Sequence, residues 1–186
     1  MTESSITKEM IYDIIPKKTL TKLFKEFELN FDSRVHGFTH WVKVIKNGEI
    51  LSKNNGANLR IIIAFGFFHD IKREDDFEDF YHGNRAAELL LKYRKEINLT
   101  DAEIQKLYKA CAGHTSEKNT DDLDIGACWD ADRLELYRLS IVPKEEFLNS
   151  EYSKRPETIK DACYRSVYEK NDSWSDDIFR ECYIKN

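Results

Sequence analysis

The sequence predicts an all-α fold, a single helical bundle that spans residues 1–186. Apolar side chains recur every three or four residues along most of the chain, which is the period of one helix face. Glycine and proline are sparse, at seven and three residues, and no convincing pair of β-strands is present. The length suits one domain with an ordinary core. Helical patterns at both ends of the chain predict helices that flank its central part.

The first third of the chain predicts two or three helices. Residues 1–30 carry apolar side chains at helical spacing and predict one or two amphipathic helices. After a break at residues 31–37, Thr39 could cap a helix that runs over residues 40–52. The segment Asn54-Asn55-Gly56 then predicts a turn.

The segment from Leu59 to Ile71 holds a continuous apolar run that ends in His69-Asp70. Its periodicity does not decide its type, because the run is short and partly β-branched, so a buried strand is an alternative to a buried helix. Charged residues follow directly and predict a loop or a ragged helix end over residues 72–81. Aspartate is almost never buried unless it is paired or holds a metal, so Asp70 is an unusual end for this run.

The second half of the chain is helical by the same pattern. Thr100 and Glu103 form a capping box that opens a helix ending near Gly113. The other helices are predicted over residues 83–93, 125–139, 158–169 and 175–184, with loops at 116–124 and 150–156.

Composition narrows the class of protein. The formal net charge of -5 argues against broad binding to extended nucleic acid, which needs a basic face. No apolar run approaches the roughly 20 residues that span a bilayer. The four cysteines form no CxxC pair, and no signal peptide is evident, so we expect reduced, mostly buried thiols in a cytoplasmic protein. A homo-oligomer is compatible with the sequence.

All five histidines lie between residues 36 and 114. Most of them, like two aspartates, fall at or near the end of a predicted helix, and the ends of packed helices can converge on one point. Imidazole and carboxylate together suit Fe, Mn, Zn, Ni, Co or Mg. We therefore predict one centre for one or two divalent ions. Its candidate ligands are His40, His69, Asp70, His82, His114 and Asp132.

Asp70 has two carboxylate oxygens and could bridge two ions about 3.5–4 Å apart. In this arrangement His40, His69 and Asp132 complete the shell of one ion, and His82 and His114 that of the other. Either of these last two could instead be a surface residue or a group that orients a ligand.

These residues resemble the HD-domain superfamily of metal-dependent phosphohydrolases. The resemblance rests on HWVKV at 40–44, HD at 69–70 and DADRLE at 130–135, in that order. The segments HGFTHW and GACWDADRLEL also resemble a poorly characterised bacterial subset of these proteins. The likeness covers about residues 33–139. It implies an all-α fold with the metal site at its centre.

The resemblance also implies residue roles. Asp132 would be the last metal ligand, and Asp130, two residues earlier, would stabilise a helix or orient a ligand. His82 and His114 look like the additional histidines of the two-metal branch. Thr115 follows His114, and no GYP motif is present, so the cyclic-dinucleotide phosphodiesterase branch is not indicated.

Three basic side chains beside the candidate ligands could contact a phosphate. Lys72 and Arg73 follow the His-Asp pair, Arg85 follows His82, and arginine can bind a phosphate through two nitrogens. We assign Asp70, Lys72 and Arg73 catalytic roles, and Lys72, Arg73 and Arg85 substrate contacts. For each base, solvated surface charge is the alternative. His36 is assigned to the substrate side, with a role in orienting a ligand or a plain structural role as alternatives.

The resemblance implies hydrolysis of a phosphomonoester or phosphodiester, with a nucleotide as one candidate substrate. The nucleophile would be a metal-bound hydroxide. The same ligand set also resembles the mixed-valence di-iron oxygenases such as myo-inositol oxygenase. A third reading is a non-catalytic regulatory or binding domain, whose mark would be a closed metal shell with no pocket beside it.

Overall fold

The computed structural model describes residues 5–33 and 35–184, and every regular element in these ranges is a helix. The all-α prediction is confirmed. Residues 1–4 of the predicted N-terminal helical stretch lie outside the described ranges. The α-helices are α1 (Lys8–Ile14), α2 (Lys17–Phe24), α3 (Phe38–Asn55), α4 (Leu59–Phe68), α5 (His82–Tyr93), α6 (Asp101–Gly113), α7 (Leu123–Arg133), α8 (Pro156–Tyr168) and α9 (Ser173–Phe179), with 3₁₀ turns at Leu136–Leu139 and Glu145–Phe147 and a π-helical turn at Arg180–Ile184.

Helix α4 forms the centre of the bundle. It is the segment whose sequence left strand and helix open, and the structure shows a helix of ten residues. The Asn58 side chain caps it by accepting a hydrogen bond from the Arg60 amide. Residues 61–68 are buried on every side, because α3, α6 and α7 all pack against the helix. Burial all round explains why the run shows no amphipathic period.

Two glycines let α3 and α4 approach each other closely. A Cβ atom on Gly48 would lie 2.0 Å from Cγ2 of Ile62, and one on Gly66 would lie 2.3 Å from Cγ1 of Ile45. Neither position leaves room for a methyl group. This approach brings the first turn of α3 next to the C-terminal end of α4.

The start of α3 differs from the sequence prediction. The helix begins at Phe38 with Gly37 as its N-cap, so the predicted cap at Thr39 is wrong. Gly37 donates its amide hydrogen to the Ser33 carbonyl at 3.0 Å. The preceding loop thus satisfies helix-terminal groups without a capping side chain.

The helices around α6 and α7 follow the predicted pattern with one change. The capping box at Thr100 and Glu103 is confirmed. The helix predicted over 125–139 is shorter in the structure. Asp122 caps α7, which begins at Leu123 and ends at Arg133. A 3₁₀ turn replaces the last part.

Five helix ends meet at one place in the bundle. His40 lies in the first turn of α3, and His82 opens α5. His69-Asp70 follows α4, His114 follows α6, and Asp132 lies in the last turn of α7. No helix in the described part of the chain is both long and apolar enough to cross a bilayer.

Candidate metal centre

Four donor atoms from three helix ends form a first group. Nε2 of His40 lies 3.1 Å from Nε2 of His69, 3.4 Å from Oδ2 of Asp70 and 3.3 Å from Oδ1 of Asp132. Nε2 of His69 lies 3.5 Å from the same Asp70 oxygen. The histidines and Asp70 are almost completely buried, with exposed fractions of 0–2%.

A second group uses the other oxygen of Asp70. Oδ1 of Asp70 lies 3.1 Å from Nε2 of His82 and 3.7 Å from Nε2 of His114, and these two nitrogens are 2.8 Å apart. Asp70 therefore presents one carboxylate oxygen to each group. The sequence suggested this bridging arrangement, and the structure brings all six candidate ligands together.

Each of the four imidazoles is anchored through its Nδ1 atom. An Nδ1–H that donates to a carbonyl or carboxylate oxygen leaves a lone pair on Nε2, and all four Nε2 atoms point into the centre. The acceptors are Oε2 of Glu135 for His40 at 3.2 Å, the Phe65 carbonyl for His69 at 3.1 Å, the Asp79 carbonyl for His82, and the Cys111 carbonyl for His114 at 2.7 Å.

This donor set fits a metal ion. The Nε2 atoms of His82 and His114 are 2.8 Å apart, and those of His40 and His69 are 3.1 Å apart. Lone pairs that face each other at these distances repel unless a proton or a cation lies between them. With metal–ligand bonds of about 2.1 Å, neighbouring ligands lie about 3.0 Å apart around an octahedral ion and about 3.4 Å apart around a tetrahedral one. The donor separations within the two groups scatter around these values. Each group could therefore hold a divalent cation.

The electrostatics also favour positive charge at this position. Burial lowers the pKa of His40, but hydrogen bonds to Asp132, Asp70 and Glu135 outweigh burial and raise it to about 10. Burial lowers the pKa of His69 to about 3. Burial alone would raise the pKa of Asp70, yet the surrounding imidazoles hold it well below its usual range. The carboxylates stay ionised and attract either a proton or a metal ion.

A pocket of about 400 Å³ opens beside the centre. Asp70, His114 and Asp132 line it, so three of the six candidate ligands are accessible from the pocket. A purely structural metal site is closed by its ligands. The side of this centre that opens into the pocket would give a substrate access to bound ions.

The three basic side chains predicted to contact a phosphate lie in different surroundings in the structure. Arg73 lines the pocket, and its Nε atom donates to Oδ1 of Asp70 at 3.2 Å. Lys72 instead binds the Glu28 carboxylate at 2.8 Å. Arg85 donates to the carbonyl of Lys72 and to the Asp79 carboxylate. Lys72 and Arg85 do not line this pocket. Its geometry therefore gives no support to the substrate and catalytic roles predicted for them, which stay predictions.

His36 lies at the pocket with a partner that the sequence did not indicate. Its Nδ1 atom is 2.9 Å from Oδ1 of Asp76. Burial lowers the pKa of His36 to about 4, so the imidazole is neutral near neutral pH. With the Nδ1 hydrogen donated to Asp76, its Nε2 atom is a hydrogen-bond acceptor. This placement is compatible with the predicted position on the substrate side.

Asp130 and Asp132 face different surroundings, as their spacing on α7 suggested. Asp130 is fully buried and accepts hydrogen bonds from the amide and side chain of Asn149, from the Ser150 amide and from the Ser153 hydroxyl. It fixes the segment that precedes α8. Asp132 alone of the two reaches the histidines.

Arg133 fixes one side of the pocket. Its guanidinium donates to four main-chain carbonyls and to no carboxylate within the described residues. These carbonyls belong to residues 114, 117, 118 and 147.

The sequence reasoning missed two residues that support the centre. Glu135 accepts from His40. Arg138 forms an ion pair with the Glu135 carboxylate at 3.2 Å and donates to the Val35 carbonyl at 2.6 Å. A signal was present for the first of these, because Glu135 follows Asp132 by three residues and so lies on the same side of a helical turn.

No protein-family model and no curated protein sequence matches the chain. The fold is similar to a crystal structure of a predicted HD superfamily hydrolase from an uncultured Thermotogales bacterium. The TM-score is 0.63 at 19% identity, over 83% of this chain and 88% of that one. The helical fold that the resemblance to the HD-domain superfamily implied is therefore confirmed.

Proposed function

We propose that this protein is a metal-dependent phosphohydrolase that cleaves a phosphomonoester or phosphodiester. The observation that carries the proposal is the convergence of four anchored imidazoles and two aspartates at the base of an open pocket. Ions bound there would lower the pKa of a water molecule and stabilise negative charge on phosphoryl oxygens. In this proposal Asp70 is the ligand shared by both groups.

The charge of the pocket supports an anionic substrate. Its lining carries four carboxylates and four basic side chains, so these formal charges cancel before any cation binds. Divalent ions would then make the pocket positive, and anion binding would depend on the metal. Two of these basic side chains pair with carboxylates of the centre: Arg73 contacts Asp70, and Arg138 contacts Glu135, which supports His40.

His36 would contribute on the substrate side. Because its imidazole is neutral and donates to Asp76, it offers an acceptor to a hydroxyl group or a water molecule in the pocket. Asp76 fixes that orientation. We assign His36 to positioning by a hydrogen bond.

Apolar side chains in the pocket support an organic group beside the phosphate. Phe77 is 91% exposed and Phe147 is 41% exposed, and both line the pocket together with Leu136 and Leu139. A flat ring can stack on an exposed phenylalanine, and a nucleobase gains about 1–3 kcal/mol from such a contact. We therefore include a nucleotide among the proposed substrates.

The first test is the metal content of the purified protein, measured by elemental analysis. Chelator-treated protein would then be reloaded with that metal and assayed without oxygen against phosphomonoesters and phosphodiesters. Phosphate release is the expected result. Bound iron with turnover only in the presence of oxygen would instead indicate an oxygenase.

The second test separates the organic group from the phosphate. Adenosine monophosphate and ribose 5-phosphate would be compared as ligands of the metal-loaded protein by calorimetry. Phe77→Ala should weaken the binding of adenosine monophosphate by about 5–100-fold, as expected for a lost stacking contact, and leave the binding of ribose 5-phosphate unchanged. Phe80→Ala is the matched control, because Phe80 is 72% exposed in the same loop and does not line the pocket. Equal binding of both ligands would remove the nucleotide from the proposal.

A further inference from the structure

The two groups of metal donors are unequal. The first combines two imidazoles with carboxylate oxygens of Asp70 and Asp132. The second combines two imidazoles with a single oxygen of Asp70. The first group therefore offers a cation one more donor and one more negative charge. Charge and donor number both increase affinity for a divalent ion.

The histidines also differ in what lies behind them. His69, His82 and His114 donate from Nδ1 to main-chain carbonyls, which are neutral. His40 donates from Nδ1 to the carboxylate of Glu135. A carboxylate behind an imidazole makes that imidazole a stronger donor than a neutral carbonyl does.

Glu135 is itself rigidly held. It is 2% exposed, and each of its oxygens has a further partner. The Arg138 guanidinium forms an ion pair with Oε2 at 3.2 Å, and the Ser166 hydroxyl donates to Oε1 at 2.9 Å. Because Ser166 lies on α8, the C-terminal part of the chain reaches the metal centre through Ser166, Glu135 and His40.

We propose that Glu135 is a positioning residue that makes the His40 group the tighter of two unequal cation sites. The site with His82 and His114 would fill second and exchange its ion more readily. This inference rests on the metal centre of the proposed function, although it does not depend on the substrate. Removing a partner of this kind from a metal-bound histidine typically lowers affinity by 10–100-fold.

The test is a titration of chelator-treated protein with Co²⁺, followed by calorimetry and by the visible absorption of the bound ion. The wild type should bind two ions in two steps. Glu135→Gln keeps the shape of the side chain and removes its charge. It should weaken the first step by 10–100-fold, change the absorption spectrum of that ion, and leave the second step within about twofold.

Two further variants make the test specific. Glu151→Gln removes an exposed carboxylate that pairs with Lys154 and does not line the pocket, so it should leave both steps unchanged. Ser166→Ala keeps Glu135 and removes one of its hydrogen bonds, so it should weaken the first step by only a few-fold. This variant preserves the charge at the centre if Glu135→Gln does not fold.

The outcomes separate this inference from the proposed function. A weaker first step in Glu135→Gln, with an unchanged second step, supports the inference even if no phosphate ester is hydrolysed. If both binding steps of Glu135→Gln match those of the wild type and of Glu151→Gln, the inference is overturned. An equal loss of affinity in both steps would also overturn it. A wild-type protein that binds no ion would overturn the inference and the proposed function together.

Discussion

Asp130 and Asp132 are two residues apart on α7, and we expect their alanine variants to show opposite defects. Asp130 accepts four hydrogen bonds, at 2.6–3.0 Å, and is fully buried. Asp132 has a side chain that is 17% exposed and contacts the Nε2 atoms of His40 and His69. Asp130→Ala should destabilise the fold, whereas Asp132→Ala should impair metal binding.

The magnitude for Asp130 follows from these contacts. A hydrogen bond to a charged group contributes about 1.5–3 kcal/mol, and removing the acceptor leaves buried donors without a partner. The four contributions do not add, because the donors can partly reach water. We expect a loss of about 3–5 kcal/mol in the free energy of unfolding, which lowers the Tm of a chain of this length by roughly 8–15 °C. Asp132→Ala should lose less, about 1.5–3 kcal/mol for one hydrogen bond to a charged group, since His40 keeps Asp70 and Glu135 as partners.

Thermal unfolding in the presence of a chelator measures the stability difference, and elemental analysis of the folded proteins measures the metal. Asp130→Ala should keep the wild-type metal content at low temperature. Asp132→Ala should unfold close to the wild type while binding less metal. The reverse pattern, with metal lost from a stable Asp130→Ala protein, would show that the wrong aspartate has been assigned as ligand.

Three other outcomes follow from the site. Asp70→Ala should abolish binding of both ions in a folded protein, because each group uses one Asp70 oxygen; unchanged metal content would refute the bridging role. Arg73→Ala should raise the KM for a phosphate ester, whereas Lys72→Ala should not, and equal effects would show that the pocket does not select between these bases. Burial lowers the pKa of His36 from its ordinary value of 6.5 to about 4 in the folded protein. Between pH 6.5 and pH 4, His36 therefore binds a proton in the unfolded chain but not in the folded protein. Stability should therefore fall between pH 6.5 and pH 4, and less steeply in His36→Gln, as measured by urea unfolding of metal-free protein; parallel curves would contradict the assignment.

The convergence of the candidate ligands was predictable because it depends on features that the sequence shows directly. His40, His69, His82 and His114 all lie next to boundaries between apolar helical runs and polar segments. The mixture of imidazole and carboxylate then indicated a metal. The helical bundle itself was predictable from periodicity, apart from the segment over 59–71.

The remaining features depend on tertiary contacts, which local patterns do not determine by themselves. Whether residues 59–71 form a strand or a helix was decided by packing on all sides. The directions of Lys72 and Arg85 depend on the path of the loop over 72–81, where neighbouring carboxylates capture both side chains. The role of Glu135 depends on where α7 ends, because the chain turns there and the carboxylate faces His40.

Arg133 has a consequence for how the pocket can widen. Its guanidinium ties the carbonyls of residues 114, 117, 118 and 147 into one rigid margin. We therefore expect any enlargement of the pocket to come from the loop with Phe77, which is held by side-chain contacts of Asp76 with His36 and of Asp79 with Arg85. A bulky ligand would enter by displacing the loop with Phe77, while the margin held by Arg133 stays in place.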